Sequence, residues 1–225
     1  MNEKVLCNSF QEYFESIKSI WNKLENPNRV IPFCTPLFHN PKFLIIGTNH
    51  SNNFDPYDEE ENNRIADSFS KKIPEENTFL KHHHPFAKGL DRVVSSLNQD
   101  YKDLKISEEW IGTNRCAIQT NSAGLGPEIK NHPSYKASQE KMDKLLKSFI
   151  NFIEPKNVIL TGMHACELYY PGKKLKDMNS KKVLFKKGSN KTFNLIPVEH
   201  LSLNYNTQKV INRLKSAIEE GYCDL

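Results

Sequence analysis

The fold this sequence predicts is α/β: a three-layer α/β/α sandwich with a central, mostly parallel four-stranded sheet. Three observations carry it. Short apolar runs alternate with longer stretches of helical apolar spacing, the order expected of a parallel sheet flanked by helices. Three of the four runs are nearly continuous in hydrophobic character, as in strands covered on both faces. The 225 residues suit one domain, 1–225, better than two, and no linker, internal repeat or low-complexity segment divides them.

The elements follow in chain order. Phe10, Tyr13, Phe14, Ile17, Ile20 and Trp21 recur at the spacing that puts them on one helix face. Residues 43–46 read as the first strand. An acidic run, Asp58 to Glu61, and a polar stretch to Asn77 read as an exposed insertion over about residues 55–80, with a helical turn around residues 64–69. Leu90, Val93, Val94 and Leu97 give a second helix, and residues 116–119 a second strand. Met142, Leu145, Leu146, Phe149, Ile150 and Ile153 form the clearest stripe, followed by strands at 158–160 and 193–198. Val210, Ile211, Leu214, Ala217 and Ile218 close the chain with a last helix.

Composition narrows the class. Hydrophobic content of 37% supports a core, and 26% charged residues argue for a soluble surface. No apolar run approaches the roughly 18 residues a membrane span needs. The start, "MNEKVLCNSFQEYF", lacks the apolar segment of a secretory signal. Five cysteines without a C-x-x-C pair argue against a disulfide framework or zinc site, so a reducing cytoplasm is expected. The net charge of +4 is compatible with nucleic acid without demanding it. Eight lysines stand between Gly172 and Lys191 against one acid, Asp177, and read either as a solvated hairpin or as phosphate contacts.

In an open parallel sheet, ligands bind outside the carboxyl ends of the strands. The residues there are Gly47-Thr48-Asn49-His50, Asn121-Ser122, Gly162-Met163-His164 and Glu199-His200-Leu201-Ser202. Two asparagines and a histidine facing one crevice are an odd choice for a purely structural sheet.

The ordered motifs "FLIIGTNHS", "HPFAKGLDRVVSSL", "RCAIQTN", "PKNVILTGMHACELY" and "NLIPVEHLSLN" together resemble the uracil-DNA glycosylase superfamily, closest in style to the mismatch-specific and single-strand-selective branches with G-x-N. They span residues 43–205, most of the chain. The resemblance implies a monofunctional DNA glycosylase that hydrolyses the N-glycosidic bond of uracil or a related damaged base, with water as nucleophile and no cofactor. It implies DNA with a damaged or deaminated base as partner, and a monomer without membrane attachment. No lysine falls at a motif position, so no Schiff-base lyase step is indicated. Two departures stand out: His50 follows Asn49 where the family has proline, and Leu201 replaces the proline between His200 and Ser202.

The resemblance implies roles that the chemistry of the reaction fits. A base must leave the stack before its glycosidic bond can be reached. Asn49 would hold the attacking water through its amide oxygen; the alternative is a turn residue tolerating a left-handed backbone. His200 would donate to the base O2 as negative charge develops, or else cap the strand end. Asn121 suits the O4/N3 edge of uracil, or serves as a cap. Phe86, with Phe54 as second choice, would stack under the base; for either one alone, a core role competes. Ser202, Leu203 and Asn204 would contact DNA, with Leu203 or Tyr205 filling the gap the base leaves. Lys181, Lys182, Lys186 and Lys187 would contact the duplex backbone. A second "HPS", at His132-Pro133-Ser134, precedes the helix from Ala137 and reads as a loop leading into it. The triplet His82-His83-His84 reads as an exposed loop rather than a metal site, because adjacent histidines rarely point at one ion. Two other functions remain open: a glycosylase-fold protein that binds nucleic acid without cleaving it, and a hydrolase of free nucleosides or nucleotides.

Overall fold

The computed structural model describes residues 7–24, 29–48, 50–51, 59–77, 85–101, 109–120, 127–186, 190–201 and 206–223. Its main sheet joins β1 (Phe43–Gly47), β3 (Trp110–Asn114), β5 (Asn157–Thr161), β6 (Lys181–Leu184) and β7 (Thr192–Val198) in the order β3-β1-β5-β7-β6. All neighbours are parallel except β6, which runs antiparallel to β7. The sheet therefore has five strands rather than the four expected, and two of them were not anticipated.

The expected strand at 116–119 is not in this sheet. The strand there is β3, whose glycine and two polar residues interrupt any apolar run. Its five residues are buried all the same, because its outer edge is closed by the preceding chain. Gly112 N–H donates to Thr35 Oγ1 (2.9 Å), Thr113 Oγ1 to Pro32 O (2.8 Å), and Cys34 N–H to Gly112 O (3.3 Å). Covering an edge in this way removes an open template for intermolecular pairing. At the end of the expected stretch, Gln119–Thr120 forms a short strand, β4, in a separate parallel pair with β2 (His50–Ser51).

Side chains alternate between the two faces of a strand, and here the alternation sorts into two hydrophobic clusters. Leu44, Ile46, Ile111, Val158, Leu160 and Leu195 join the apolar faces of α1 (Phe10–Trp21) and α5 (Tyr135–Ile153). Phe43, Ile45, Trp110, Ile159, Ile196 and Val198 join α3 (Pro85–Asp100) and α7 (Thr207–Glu219). Helix α1 begins where Ser9 Oγ accepts the Glu12 N–H at 3.2 Å, a side-chain N-cap. Helix α5 begins at Tyr135, two residues earlier than expected, behind a turn in which Ser134 N–H donates to His132 Nδ1 at 3.1 Å.

The second correction concerns the supposed exposed insertion. Residues Glu59–Lys71 form a helix, α2, that buries Ile65, Ala66 and Phe69 in the cluster of α3 and α7. Its three leading glutamates sit at the helix N-terminus, where the macrodipole favours negative charge. Among the described residues no helix is long and apolar enough to cross a membrane.

Candidate active site

Parallel register brings the carboxyl ends of β3, β1, β5 and β7 to one edge, and backbone hydrogen bonds draw their loops together there. Arg115 N–H donates to Gly47 O and Cys116 N–H to Thr48 O, both at 2.9 Å. Gly162 N–H donates to Val198 O, also at 2.9 Å. The chain leaving β1 thus runs beside the chain leaving β3, and the β2–β4 ladder continues the pairing as His50↔Gln119 and Ser51↔Thr120.

Two glycines allow the approach. A Cβ on Gly47 would stand 2.2 Å from Asn114 Oδ1, so only glycine admits that amide. Gly162 has φ +81°, and a Cβ there would meet His200 Cδ2 at 3.2 Å and Thr48 Oγ1 at 3.5 Å. The imidazole and the threonine hydroxyl therefore flank Gly162. Helix α3 closes in as tightly, since a Cβ on Gly89 would stand 2.0 Å from Leu201 O. That contact brings Phe86, at the start of α3, to an edge-to-face position with its ring centroid 6.2 Å from that of His200.

His200 is half-buried, and desolvation lowers its pKa below the ordinary histidine value. At neutral pH it is an uncharged imidazole, with one ring nitrogen protonated and the other a lone-pair acceptor. Its carbonyl accepts from Asn206 Nδ2 at 3.2 Å, which ties the turn to the start of α7. The preceding residue, Glu199, pairs with Arg213 at 3.3 Å.

Of the side chains singled out in the sequence, the structure brings His200 and Phe86 together. Asn49, Phe54, Asn121, Ser202, Leu203, Asn204, Tyr205 and Lys187 lie outside the described residues, as does the His82–His84 triplet. Their described neighbours are informative: Thr48 and His50 flank Asn49, and Thr120 precedes Asn121. Lys181, Lys182 and Lys186 do not line the carboxyl edge itself: Lys181 stands at the near end of β6, and the other two lie farther along. Strand β6 pairs Lys181 with Leu195 and Leu184 with Thr192, so it runs away from the carboxyl edge. The departures from the family pattern have structural uses. Leu201 is 3% exposed and joins the α3–α7 cluster. His50 stands opposite Gln119 in the β2–β4 ladder, and strand interiors disfavour proline.

The structure adds residues that the sequence did not single out. Asn114 ends β3, is 8% exposed, and lies against Gly47. Arg115, 6% exposed, grips two segments at once through three residues. It forks onto Asp143 (Nε–Oδ1 2.8 Å, Nη2–Oδ2 2.7 Å), and its Nη1 donates to His164 O (2.6 Å) and Glu167 Oε2 (2.7 Å). Burial opposes this charge, but the two carboxylates outweigh it and raise the guanidinium pKa. Gln139 Nε2 donates to Asp143 Oδ1 (3.0 Å), and Tyr135 OH lies 3.1 Å from His164 Nε2. Burial first, then the Arg115 charge, lowers the His164 pKa to about 4. His164 Nδ1 is buried without a described hydrogen-bond partner. The signal for Asn114 was a G-T-N tripeptide at the end of a strand that apolar runs did not reveal; a lone arginine gave no signal at all.

Compared with known proteins, the chain matches no protein-family model and no curated protein.

Proposed function

We propose that the chain is a monofunctional DNA glycosylase, a three-layer α/β/α enzyme that hydrolyses the N-glycosidic bond of uracil or a related damaged base. One observation carries the reading: a neutral His200 and an aromatic ring, Phe86, meet beside Gly162 and Thr48, the residue before Asn49. As the bond breaks, positive charge grows on the sugar and negative charge on the base. His200 donates its N–H to the base O2, and an uncharged donor suits this role because it strengthens as the anion forms. Phe86 supplies a face for the extruded base, and such stacking contributes about 1–3 kcal/mol.

Asn49 positions the water. An amide takes no proton at neutral pH, so it orients the nucleophile rather than acting as a full base. The base edge is read by an amide at the end of β3 or in the chain that follows it. Asn121 is one candidate, and Asn114 is now a second, since it ends the strand beside Gly47. A cytoplasmic setting belongs to the same reading, and five buried free thiols are consistent with it.

The test uses labelled single- and double-stranded oligonucleotides carrying uracil, hypoxanthine or xanthine, followed by alkali. Strand breaks at the lesion are expected, with rates falling about 100-fold or more in H200A. N49A should lose activity similarly, and N114A and N121A separate the two base-reading candidates by their change in base preference. Binding without breaks in the wild-type protein would instead mark a nucleic-acid-binding module. Release from free nucleosides alone would mark a nucleoside hydrolase.

A further inference from the structure

Residues 172–181 carry Lys173, Lys174, Lys176 and Lys181 against one acid, Asp177. A bare lysine run in solvent is the ordinary reading of such a stretch, but this one is braced at several points. The 3-10 turn Leu175–Asp177 is followed by Met178, 1% exposed. Arg213 on α7 donates to Leu175 O (2.9 Å) and Met178 O (3.1 Å) while its Nε faces Glu199 Oε2 at 3.3 Å. Tyr170 OH donates to Asn179 O at 2.5 Å, and its ring carries the Lys181 ammonium 4.2 Å from the centroid. Lys181 is partly desolvated and also feels the charge of Lys173, both of which lower its pKa. Lys173, Lys174 and Lys176 are exposed. The backbone that carries these lysines is thus held in place, and the charges of Lys173 and Lys181 lie close enough to oppose one another.

Register separates these lysines from those that follow. Lys181 pairs with Leu195, three residues short of Val198 at the carboxyl edge, or roughly 10 Å along the strand. Leu184 pairs with Thr192, roughly 20 Å from that edge, and Lys186 lies beyond it. Arg213 holds the near lysines to Glu199, the neighbour of His200.

We propose that Lys173, Lys174, Lys176 and Lys181 form a pre-ordered cationic edge that binds the phosphodiester backbone flanking the site, and that Lys182 and Lys186 do not belong to it. The choice of nucleic acid as partner rests on the reading of the site given above. A run of lysines on a braced backbone suits a chain of phosphates.

The test is binding of an undamaged DNA duplex, read by fluorescence anisotropy between about 50 and 200 mM salt, where the log–log slope is about 0.9 per phosphate contact. K173A/K174A/K176A, all at exposed positions, is expected to lower the slope by about 2–3 and to weaken binding more than about tenfold. K182A/K186A is expected to change the slope by less than about 1. Three results overturn the proposal: an unchanged slope in the triple variant, an equal loss per lysine in the two sets, or tighter lysine-dependent binding to anionic phospholipid vesicles than to duplex. No base is released in this measurement. Lysine-dependent binding in a protein that never cleaves would remove the glycosylase reading and leave the edge standing; cleavage with an unchanged slope would do the reverse.

Discussion

Gly162→Ala tests whether the imidazole is where the chemistry happens. Gly162 has φ +81° and ψ 163°, a region reserved almost entirely for glycine, so a side chain there costs about 3 kcal/mol of backbone strain. The new methyl would also stand 3.2 Å from His200 Cδ2 and 3.4 Å from His200 Cβ, so the ring must give way by a few tenths of an ångström. A displacement of 1 Å at a reacting group can cost about 100-fold, and this smaller one is expected to cost about tenfold in single-turnover base release. Gly221→Ala is the control. Gly221 also has positive φ, +74°, but a Cβ there meets nothing within 4 Å. It is expected to lose about 1 kcal/mol in urea unfolding with its base-release rate unchanged. Full activity in Gly162→Ala, together with the predicted loss of stability, would show that moving the imidazole is without consequence and would remove His200 from the mechanism.

Two further outcomes concern the network behind the site. Arg115→Met strands Asp143 and the His164 carbonyl and is expected to lower urea stability by about 3 kcal/mol, whereas Glu167→Gln, at a side chain 47% exposed, is expected to lose less than about 1 kcal/mol; similar losses in both would mean the guanidinium is not held as described. His164 has its pKa lowered to about 4, so as pH falls below the ordinary histidine value the unfolded chain takes up a proton that the native state refuses, and stability drops. Between pH 7 and pH 5 this amounts to at most about 2 kcal/mol, and His164→Asn is expected to flatten that part of the urea-derived profile by a comparable amount; an unaltered profile would place the acid sensitivity elsewhere.

Strands β1, β5 and β7 were legible because each is an apolar run buried along its length. Strand β3 was not, because Gly112 and Thr113 break the pattern. Their burial depends on Pro32, Cys34 and Thr35, about eighty residues back in the chain, a relation that no local window contains. Strand β6 alternates half-buried and exposed positions and carries two lysines, so its charge hid its pairing. Helix α2 was masked by its charged first turn, although Ile65, Ala66 and Phe69 already have helical spacing. The juxtaposition of Phe86 and His200 was legible through motif order, and Gly89 gives the physical means by letting α3 reach the turn after β7. The Arg115 network was not, since its partners lie 28, 49 and 52 residues away and no motif joins them.

Topology reaches the same place without any motif. From β1 the chain moves to β3 on one side of it, then crosses to β5 on the other, so the strand order reverses between β1 and β5. Crevices in open α/β sheets form outside the carboxyl ends of the strands at such a reversal. Here those ends are Gly47-Thr48 and Thr161-Gly162. The groups there are polar, and Thr48, Thr161 and Asn114 are all buried. Burying a polar group costs stability unless it is hydrogen-bonded, so a sheet selected only for stability would place apolar side chains there. Glycine at both ends lets an imidazole approach one of them and an amide the other, so polar groups gather where the strand order reverses.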